Sequence, residues 1–307
     1  MAEDAPVQPL PVPDDFDAYW RQVATEAEAL PLQPVPFDWA PGGEAQPAGV
    51  RFQRVRLEGL GGVPVGGVLA LPDDPPGLAR RLPALVHFAG YGGESILHQD
   101  LVAAGFAVFD FSHRGMKWGL AAFDRDRPRP LLARDVEDPE RYVYRAIYAD
   151  CLLAVRYVRG LDAVDPARVA VLGTSQGGGL AIGVGALVQP AAVAADIPWL
   201  THFARQLALP VEGPYNELKD LLARRPDLRP AALRTLAYFD TTSLATRLTA
   251  PTFVSLGQAD VVCPPDSVRA MFGRIPGCKS LLEVPGLGHA RSAIWRRLAL
   301  AWMQTWV

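Results

Sequence analysis

A serine flanked by glycines is the strongest chemical signal in this sequence. Gly173-Thr-Ser-Gln-Gly177 matches the pattern G-x-S-x-G, and two more glycines follow it. It comes directly after the apolar run Arg168-Val-Ala-Val-Leu172 and directly before a helical run, as a nucleophile elbow requires. The chain turns so tightly at such an elbow that side chains next to the serine would clash, which explains the flanking glycines. The turn also places the serine hydroxyl above the sheet. Ser175 is therefore the predicted nucleophile, and the alternative is a glycine-rich packing turn with an incidental serine.

A serine hydroxyl needs a general base, and the chain contains five histidines. Where this elbow occurs, the partners follow in the order serine, acid, histidine. Only His202 and His289 come after Ser175. His289 ends the glycine loop Pro285-Gly-Leu-Gly-His289, which can bring an imidazole over the edge of the sheet. We predict His289 as the base, whereas His202, in an amphipathic stretch, is expected to face the solvent or the substrate.

The acid that orients the histidine should follow the preceding strand. Thr252-Phe-Val-Ser-Leu-Gly257 has the pattern of that strand, and Asp260 lies in the loop after it. A carboxylate there would accept the second ring N–H of His289, fix its tautomer and stabilise the imidazolium. Asp260 is the predicted acid, and Asp240 and Asp196 remain alternatives.

The oxyanion that forms during acyl transfer needs two hydrogen-bond donors. One is expected to be the backbone N–H of Gln176, the residue after the nucleophile. The other should come from the loop Phe88-Ala-Gly-Tyr91-Gly-Gly93, whose glycines allow the backbone to approach a substrate closely. Tyr91 is the predicted donor in this loop, and its ring is a candidate wall of the acyl pocket, with simple packing as the alternative.

The elements that must position these residues alternate along the chain. A glycine-containing hairpin pattern over Val50–Leu71 is followed by short apolar strands that alternate with helical patterns. This alternation predicts a mainly parallel sheet covered by helices on both faces. With the elbow, the fold class is α/β, an α/β-hydrolase fold formed by one domain over residues 1–307. Residues 198–248 interrupt the alternation and are predicted as a helical insertion, a lid over the active site.

Composition excludes several other classes of protein. The chain of 307 residues has 30 Lys+Arg, 33 Asp+Glu, a formal net charge of −3 and 50% hydrophobic residues, which is a folded composition. A net charge so close to neutral produces no electrostatic field that would attract nucleic acid or anionic lipid. The longest clean apolar run, Leu180–Val188, is far shorter than the roughly 20 residues of a membrane-spanning helix. Three cysteines imply neither a disulfide framework nor, by their spacing, a metal site. The acidic, proline-rich start lacks the features of a signal peptide, so we expect a cytoplasmic protein. The predicted serine chemistry needs no metal or cofactor, and we expect none.

These features together resemble the acetyl xylan esterase and cephalosporin C deacetylase family, carbohydrate esterase family seven. The resemblance runs nearly end to end. It rests on the elbow Gly173-Thr-Ser-Gln-Gly-Gly178 and on five other stretches: Asp15-Phe-Asp-Ala-Tyr-Trp20, Tyr142-Val-Tyr-Arg-Ala-Ile-Tyr-Ala-Asp150, Ile197-Pro-Trp-Leu, Leu236-Ala-Tyr-Phe-Asp240 and Gly257-Gln-Ala-Asp260-Val-Val-Cys-Pro-Pro265. The resemblance implies Ser175, Asp260 and His289 as a catalytic triad, Tyr91 and Gln176 at the oxyanion hole, and a homo-oligomer, a hexamer.

The sequence departs from that family at two positions near the site. The family's Arg-Gly-Gln signature is Arg114-Gly-Met116 here, and Ala290 stands where a glutamate usually follows the histidine. Neither change touches the predicted triad. Both bear on the specificity for acetylated sugars that the resemblance implies.

The expected function is hydrolysis of short acyl esters, with acetyl esters of sugars or similar small molecules as substrates. The alternative within the same chemistry is an esterase, thioesterase or peptidase that acts on a different or bulkier acyl group. A non-catalytic protein with this fold is a third alternative, but such proteins usually lose one member of the triad. Nucleotide binding is disfavoured, because the glycine-rich stretches lack the P-loop lysine and the dinucleotide spacing.

Overall fold

A computed structural model describes residues 7–35, 48–73, 81–93, 98–116 and 131–307 of the chain. Within these ranges one sheet of eight strands has the order β1-β2-β4-β3-β5-β6-β7-β8. The strands are β1 Val50–Glu58, β2 Pro64–Pro72, β3 Leu82–Phe88, β4 Ala107–Ser112, β5 Val164–Thr174, β6 Val193–Asp196, β7 Thr252–Gly257 and β8 Lys279–Val284. Only β2 pairs antiparallel with its neighbours β1 and β4, and β3 to β8 are parallel.

The helices of the described residues follow the strands in the order that the alternation predicts. They are α1 Phe16–Glu28, α2 Gln99–Ala103, α3 Val143–Arg159, α4 Gln176–Val188, α5 Phe203–Ala208, α6 Tyr215–Arg224, α7 Arg229–Phe239, α8 Thr241–Leu244, α9 Pro265–Gly273 and α10 Ala293–Trp306. Short 3₁₀ turns lie at Leu60–Gly62, Pro226–Leu228 and Ala245–Arg247. No helix in these ranges combines the length and the apolar character needed to cross a membrane.

Strands β3, β4, β6 and β7 are buried on both faces, which explains their continuous apolar runs. In β3, Val86 and Phe88 belong to a large apolar cluster with residues of α1, α3 and α4. Leu85 points to the opposite face, where a smaller cluster includes residues of α2 and α10. Alternate residues of one strand thus pack into two different apolar clusters, one on each face of the sheet. The sheet lies between the helices that cover these two faces.

The predicted element boundaries agree with the structure to within a few residues, with one larger difference. The strand predicted at Arg168–Leu172 is longer and covers Val164–Thr174. Its first part carries the half-buried Asp165 and the exposed Arg168, so no apolar pattern marks it, yet Val164 pairs with Leu82 of β3. The sequence has a helical pattern over Ile96–Ala104, and the corresponding helix α2 begins at Gln99; Ile96 itself lies outside the described residues.

Three strand ends place the predicted chemistry at one edge of the sheet. Ser175 follows β5, Asp260 follows β7 and His289 follows β8. Because β5 to β8 are parallel, their carboxyl ends lie at the same edge, which is where open α/β sheets bind ligands. The chain between β6 and β7 forms helices α5 to α8, and their role as a lid stays a prediction.

Candidate active site

Ser175 occupies a strained turn between β5 and α4. Its φ of 58° and ψ of −118° lie in a region that residues with side chains rarely adopt. The turn is fixed because the Ser175 N–H donates to Asp196 O at 2.9 Å, and the Ser175 carbonyl accepts from the N–H groups of Gly179 and Trp199. A Cβ on Gly177 would lie 1.9 Å from Phe88 O, so the elbow tolerates only glycine there. Backbone packing therefore holds the serine in place.

The structure brings Ser175, His289 and Asp260 into one hydrogen-bonded chain. His289 Nε2 lies 3.1 Å from Ser175 Oγ, and His289 Nδ1 lies 2.9 Å from Asp260 Oδ2. A carboxylate can only accept, so Nδ1 carries the ring proton and Nε2 is left to accept the serine proton. Asp260 is buried, whereas the His289 side chain is 28% exposed, so the histidine can be reached from the solvent.

The loop that carries Asp260 and the loop that carries His289 pack directly against each other. Asp260 Oδ1 accepts the N–H groups of Val262 and Cys263, both at 2.8 Å, which fixes the carboxylate and leaves Oδ2 for the histidine. The N–H of Ala259 donates to Leu287 O at 2.9 Å. A Cβ on Gly257 would lie 2.4 Å from that same carbonyl, so the close approach of the two loops requires glycine at the end of β7.

Gln176, the first residue of α4, is buried and held by a histidine that sequence reasoning missed. Its Nε2 lies 3.2 Å from His113 Nε2. The other ring nitrogen of His113 lies 2.7 Å from Arg114 O, a carbonyl that can only accept, so Nδ1 carries the proton and Nε2 accepts from Gln176. Burial lowers the pKa of His113 to about 4, which keeps it neutral in this arrangement. No motif marks His113, because its role depends on a contact across 63 positions of sequence.

Tyr91 lies in the loop after β3, close to the elbow. A Cβ on neighbouring Gly90 would lie 3.5 Å from Thr174 O, which places this loop beside the serine turn. The Tyr91 hydroxyl donates to Glu217 Oε1 at 2.6 Å and accepts from Leu131 N at 3.1 Å. Its ring packs edge-on against Trp199 at a centroid distance of 5.2 Å. Tyr91 thus connects the loop after β3 to helix α6. Trp199 lies in the stretch Ile197-Pro-Trp-Leu that carries the family resemblance, whereas no sequence pattern marks Glu217.

The alternative acids have other partners. Asp240 is buried at the start of α8 and accepts the N–H groups of His202 and Phe203, each at 2.8 Å. Asp196, at the end of β6, accepts from the Ser255 hydroxyl at 2.5 Å. The carboxylate that is hydrogen-bonded to the His289 ring is therefore that of Asp260, and not that of Asp240 or Asp196.

His202 is buried, so the first of the two alternatives that the sequence left open, a position on the solvent-facing surface, is wrong. Its side chain is enclosed where α5 begins, and its backbone adopts a left-handed conformation with a φ of 57°. The Nδ1 atom accepts the N–H of Arg205 at 3.4 Å and caps the helix. An amphipathic sequence pattern could not show this, because the burial arises from the packing of α5 against the other helices between β6 and β7.

The two departures from the family pattern lie in different surroundings. Met116 is fully buried in the larger apolar cluster, where its side chain adds to the core. Ala290 is exposed, and its N–H donates to Gly288 O at 2.9 Å, within the loop that carries His289. Met116 therefore contributes apolar packing to the core, and Ala290 places no carboxylate on the surface beside the histidine.

Arg114, which precedes Met116, forms a buried ion pair with Asp150 of α3. Its Nε donates to Asp150 Oδ2 at 2.6 Å, its Nη2 to Oδ1 at 2.8 Å, and Nη2 also reaches Leu60 O at 2.7 Å. Both side chains are buried. This pair joins the loop after β4 to helix α3 and to the turn between β1 and β2.

Replacing Arg114 by methionine is expected to lower the free energy of unfolding by about 3–5 kcal/mol, because it strands a buried carboxylate. Urea unfolding of the purified variant measures this change. Arg225→Met is the matched control, since its bidentate pair with Asp227 is exposed to solvent and should contribute little to stability. Equal losses in the two variants would contradict a special role for burial.

Asp196 gives the site a pH-dependent stability. Burial raises its pKa from 3.8 to about 6. Because the folded value is the higher one, the folded chain holds this proton more tightly than the unfolded chain does. The stabilisation is fully present below about pH 4 and is lost as the pH rises through about 6, and it amounts to about 2–3 kcal/mol.

Replacing Asp196 by asparagine should remove this dependence, because the amide keeps the size of the side chain without the charge. We expect the variant to gain stability relative to the wild type on going from about pH 4 to about pH 7, by about 2–3 kcal/mol. Denaturant unfolding at the two pH values measures the gain. A stability difference that is the same at both pH values would refute the raised pKa.

Two groups of side chains in the described ranges have donor atoms close enough for a metal ion: His87, His98 and Asp110, and Asp260, Cys263 and His289. In the first group Arg296 donates to His98 Nδ1 at 3.1 Å, so a neutral His98 carries its proton on Nε2, which faces Asp110 Oδ1 at 3.6 Å. Burial lowers the pKa of His98 and favours that neutral form. His87 of β3 is hydrogen-bonded to Asp110 of β4, and His98 is hydrogen-bonded to Arg296 of α10, so polar contacts within the protein already engage the first group.

The chain was compared with known families and structures. The family profile described as acetyl xylan esterase matches residues 8–305. The chain belongs to the acetyl xylan esterase family. Among solved structures of the family, the acetyl xylan esterase from Paenibacillus sp. R4 is 28% identical with a TM-score of 0.86, over 98% of this chain and 97% of that one. Acetyl xylan esterase 1 from Thermoanaerobacterium sp. JW/SL YS485 is 26% identical with a TM-score of 0.83, over 97% and 96%.

These comparisons confirm both the predicted family and the α/β-hydrolase fold. The family and its two structural relatives are carboxylic ester hydrolases by name. A curated relative, acetyl esterase Axe7A of Xylanibacter ruminicola, is 29% identical over 60% of this chain. The alignment spans only 40% of the length of that relative.

Proposed function

We propose that this chain is a serine esterase that hydrolyses short acyl esters of small molecules, with acetate esters of sugars as the substrate class. The observation that carries the proposal is the hydrogen-bonded chain from Asp260 through His289 to Ser175, with successive distances of 2.9 and 3.1 Å. Membership of the acetyl xylan esterase family supports the acetyl group as the acyl moiety.

The first half of the reaction forms an acyl-enzyme. Ser175 Oγ attacks the ester carbonyl while its proton passes to His289 Nε2. Asp260, whose carboxylate is fixed by two backbone N–H groups, stabilises the imidazolium through Nδ1. The tetrahedral intermediate then collapses, the C–O bond to the alcohol breaks, and the alcohol leaves with the proton from Nε2. The acetyl group stays on Ser175 as an ester.

Water completes the cycle. A water molecule gives a proton to His289 Nε2 and attacks the acyl-enzyme carbonyl, and collapse releases acetate and returns the proton to Ser175. In both halves the negative oxygen is held by the backbone N–H of Gln176 and, in this proposal, by that of Tyr91. The N-terminus of α4 adds a favourable field at the same place, since Gln176 is its first residue.

Acyl length is limited, in this proposal, by the wall that Tyr91 and the insertion form. Tyr91 is held through Glu217 of α6, and its ring packs against Trp199 in the predicted lid, residues 198–248. Trp199 packs in turn against the ring of Tyr215 at 5.0 Å between centroids. A wall fixed by such contacts yields little when extra methylene groups enter, and overpacking of this kind costs about 1–3 kcal/mol.

Acetyl esters are therefore expected to exceed butyryl and longer esters by about 10- to 100-fold in kcat/KM, since 1.4 kcal/mol corresponds to one decade. Hydrolysis of a chain-length series of 4-nitrophenyl esters, measured beside an acetylated xylose, tests both parts of the proposal. Tyr91→Ala should reduce the preference by opening the wall. An optimum at hexanoyl or longer would reject the deacetylase proposal and leave the triad untouched.

Two further expectations belong to this proposal. A hexamer is implied by the family resemblance, and the mass in solution from light scattering tests it. A cytoplasmic location is the second expectation, and fractionation of the source cells tests it.

A further inference from the structure

A thiol lies against the proposed triad. Cys263 is buried, three positions after Asp260 and just before α9. One donor atom each from Asp260, Cys263 and His289 lie within 4.8 Å of one another. The three cysteines gave no metal-ligand spacing in the sequence, because the other two donors come from His289 and Asp260, on separate loops.

These three donors form a ligand set for a thiophilic divalent cation. Thiolate, imidazole and carboxylate are the groups that bind Zn²⁺, with Zn–S near 2.3 Å and Zn–N near 2.0 Å. Neighbouring ligand atoms in such a tetrahedron are roughly 3.3 Å apart. His289 Nδ1 and Asp260 Oδ2 already lie 2.9 Å apart, so an opening of only a few tenths of an ångström admits the ion between them.

The surroundings supply both charge and access. The Asp260 carboxylate is held in place because its Oδ1 accepts the N–H groups of Val262 and Cys263. The partly exposed His289 side chain is the route by which an ion reaches the two buried donors.

We propose that Asp260, Cys263 and His289 form a binding site for a thiophilic divalent cation such as Zn²⁺ or Cd²⁺, and that the bound ion switches the triad off. The thiol releases its proton to water and binds as thiolate. The imidazole binds through Nδ1, so its single proton moves to Nε2. An N–H at Nε2 can no longer accept the proton of Ser175, and the base is lost without any covalent change. Thiolate, carboxylate and cation together carry no net charge.

Hard cations should not use this site. Mg²⁺ and Ca²⁺ prefer six or more oxygen ligands, and a thiol with an imidazole cannot provide them. The site therefore predicts that Cd²⁺ and Zn²⁺ inhibit ester hydrolysis, whereas the same concentration of Mg²⁺ does not.

Cadmium titration of the full chain tests the proposal. The ultraviolet charge-transfer band of a cadmium–thiolate bond should appear with one Cd²⁺ per chain in the wild type and in Cys278→Ser, and be absent in Cys263→Ser. Cys278 is the matched control because its thiol is exposed, just before β8. This band does not depend on hydrolysis, so it reports on the site even if the proposed esterase function is wrong.

Inhibition of 4-nitrophenyl acetate hydrolysis gives the second measurement. The Cd²⁺ concentration for half inhibition should rise by at least about 10-fold in Cys263→Ser, relative to its own uninhibited rate, because one ligand is lost. EDTA should restore the activity of the wild type. If Cys263→Ser does not fold, Cys263→Ala replaces it in both measurements. A band that persists without Cys263, or equal inhibition with and without its thiol, would overturn the proposal.

Discussion

Ser175→Ala should lower kcat for 4-nitrophenyl acetate by about 10⁴-fold or more, because the base then has no nucleophile to activate. The oxyanion donors and the binding site would remain, so a small residual rate is expected. The backbone of the elbow should persist, since its hydrogen bonds to Asp196, Gly179 and Trp199 do not involve the serine side chain. Steady-state kinetics on the purified variant measure the loss.

A matched serine elsewhere serves as the control. Ser280 is exposed on β8, so Ser280→Ala should retain the wild-type kcat. Circular dichroism of both variants checks that the fold is unchanged. Near-wild-type activity in Ser175→Ala would mean that the nucleophile has been misassigned and that the elbow is a packing turn.

His289→Ala should be similarly severe, with a loss in kcat of about 10⁴-fold or more. Without the imidazole, nothing accepts the proton of Ser175 or returns it to the leaving alcohol. The side chain is partly exposed and lies on a glycine loop, so its removal should cost little stability. The loss should therefore appear in the rate at unchanged secondary structure.

His202→Ala is the matched control for the base. Its ring caps helix α5 through Arg205 N, so the expected cost is about 1 kcal/mol of stability. The kcat should stay within a few-fold of the wild-type value. A loss in His202→Ala as deep as that in His289→Ala would show that the base had been assigned to the wrong histidine.

The sequence was sufficient for the parts of the site that depend on chain order. Ser175, Asp260 and His289 each follow a recognisable apolar strand, and parallel strands bring such positions to one edge of the sheet. Glycines at 177 and 257 mark places where one backbone contacts another, which is why the elbow and the acid loop were visible as patterns.

The parts that could not be predicted depend on side-chain contacts between distant segments. His113 supports Gln176, and Glu217 holds Tyr91, each across more than 60 positions of sequence. Cys263 looked like an isolated cysteine until the loops of β7 and β8 were placed together. The burial of His202 escaped prediction for the same reason, since a local amphipathic pattern does not show which elements cover it.

Covalent labelling tests most directly whether Ser175 is the nucleophile. A fluorophosphonate transfers its phosphonyl group to an activated serine, with loss of fluoride, and mass spectrometry of the digested protein locates the adduct. We expect one adduct per chain on the peptide that contains Ser175, and none in Ser175→Ala. An adduct on another residue, or no adduct on a folded protein that hydrolyses 4-nitrophenyl acetate, would contradict the proposed mechanism.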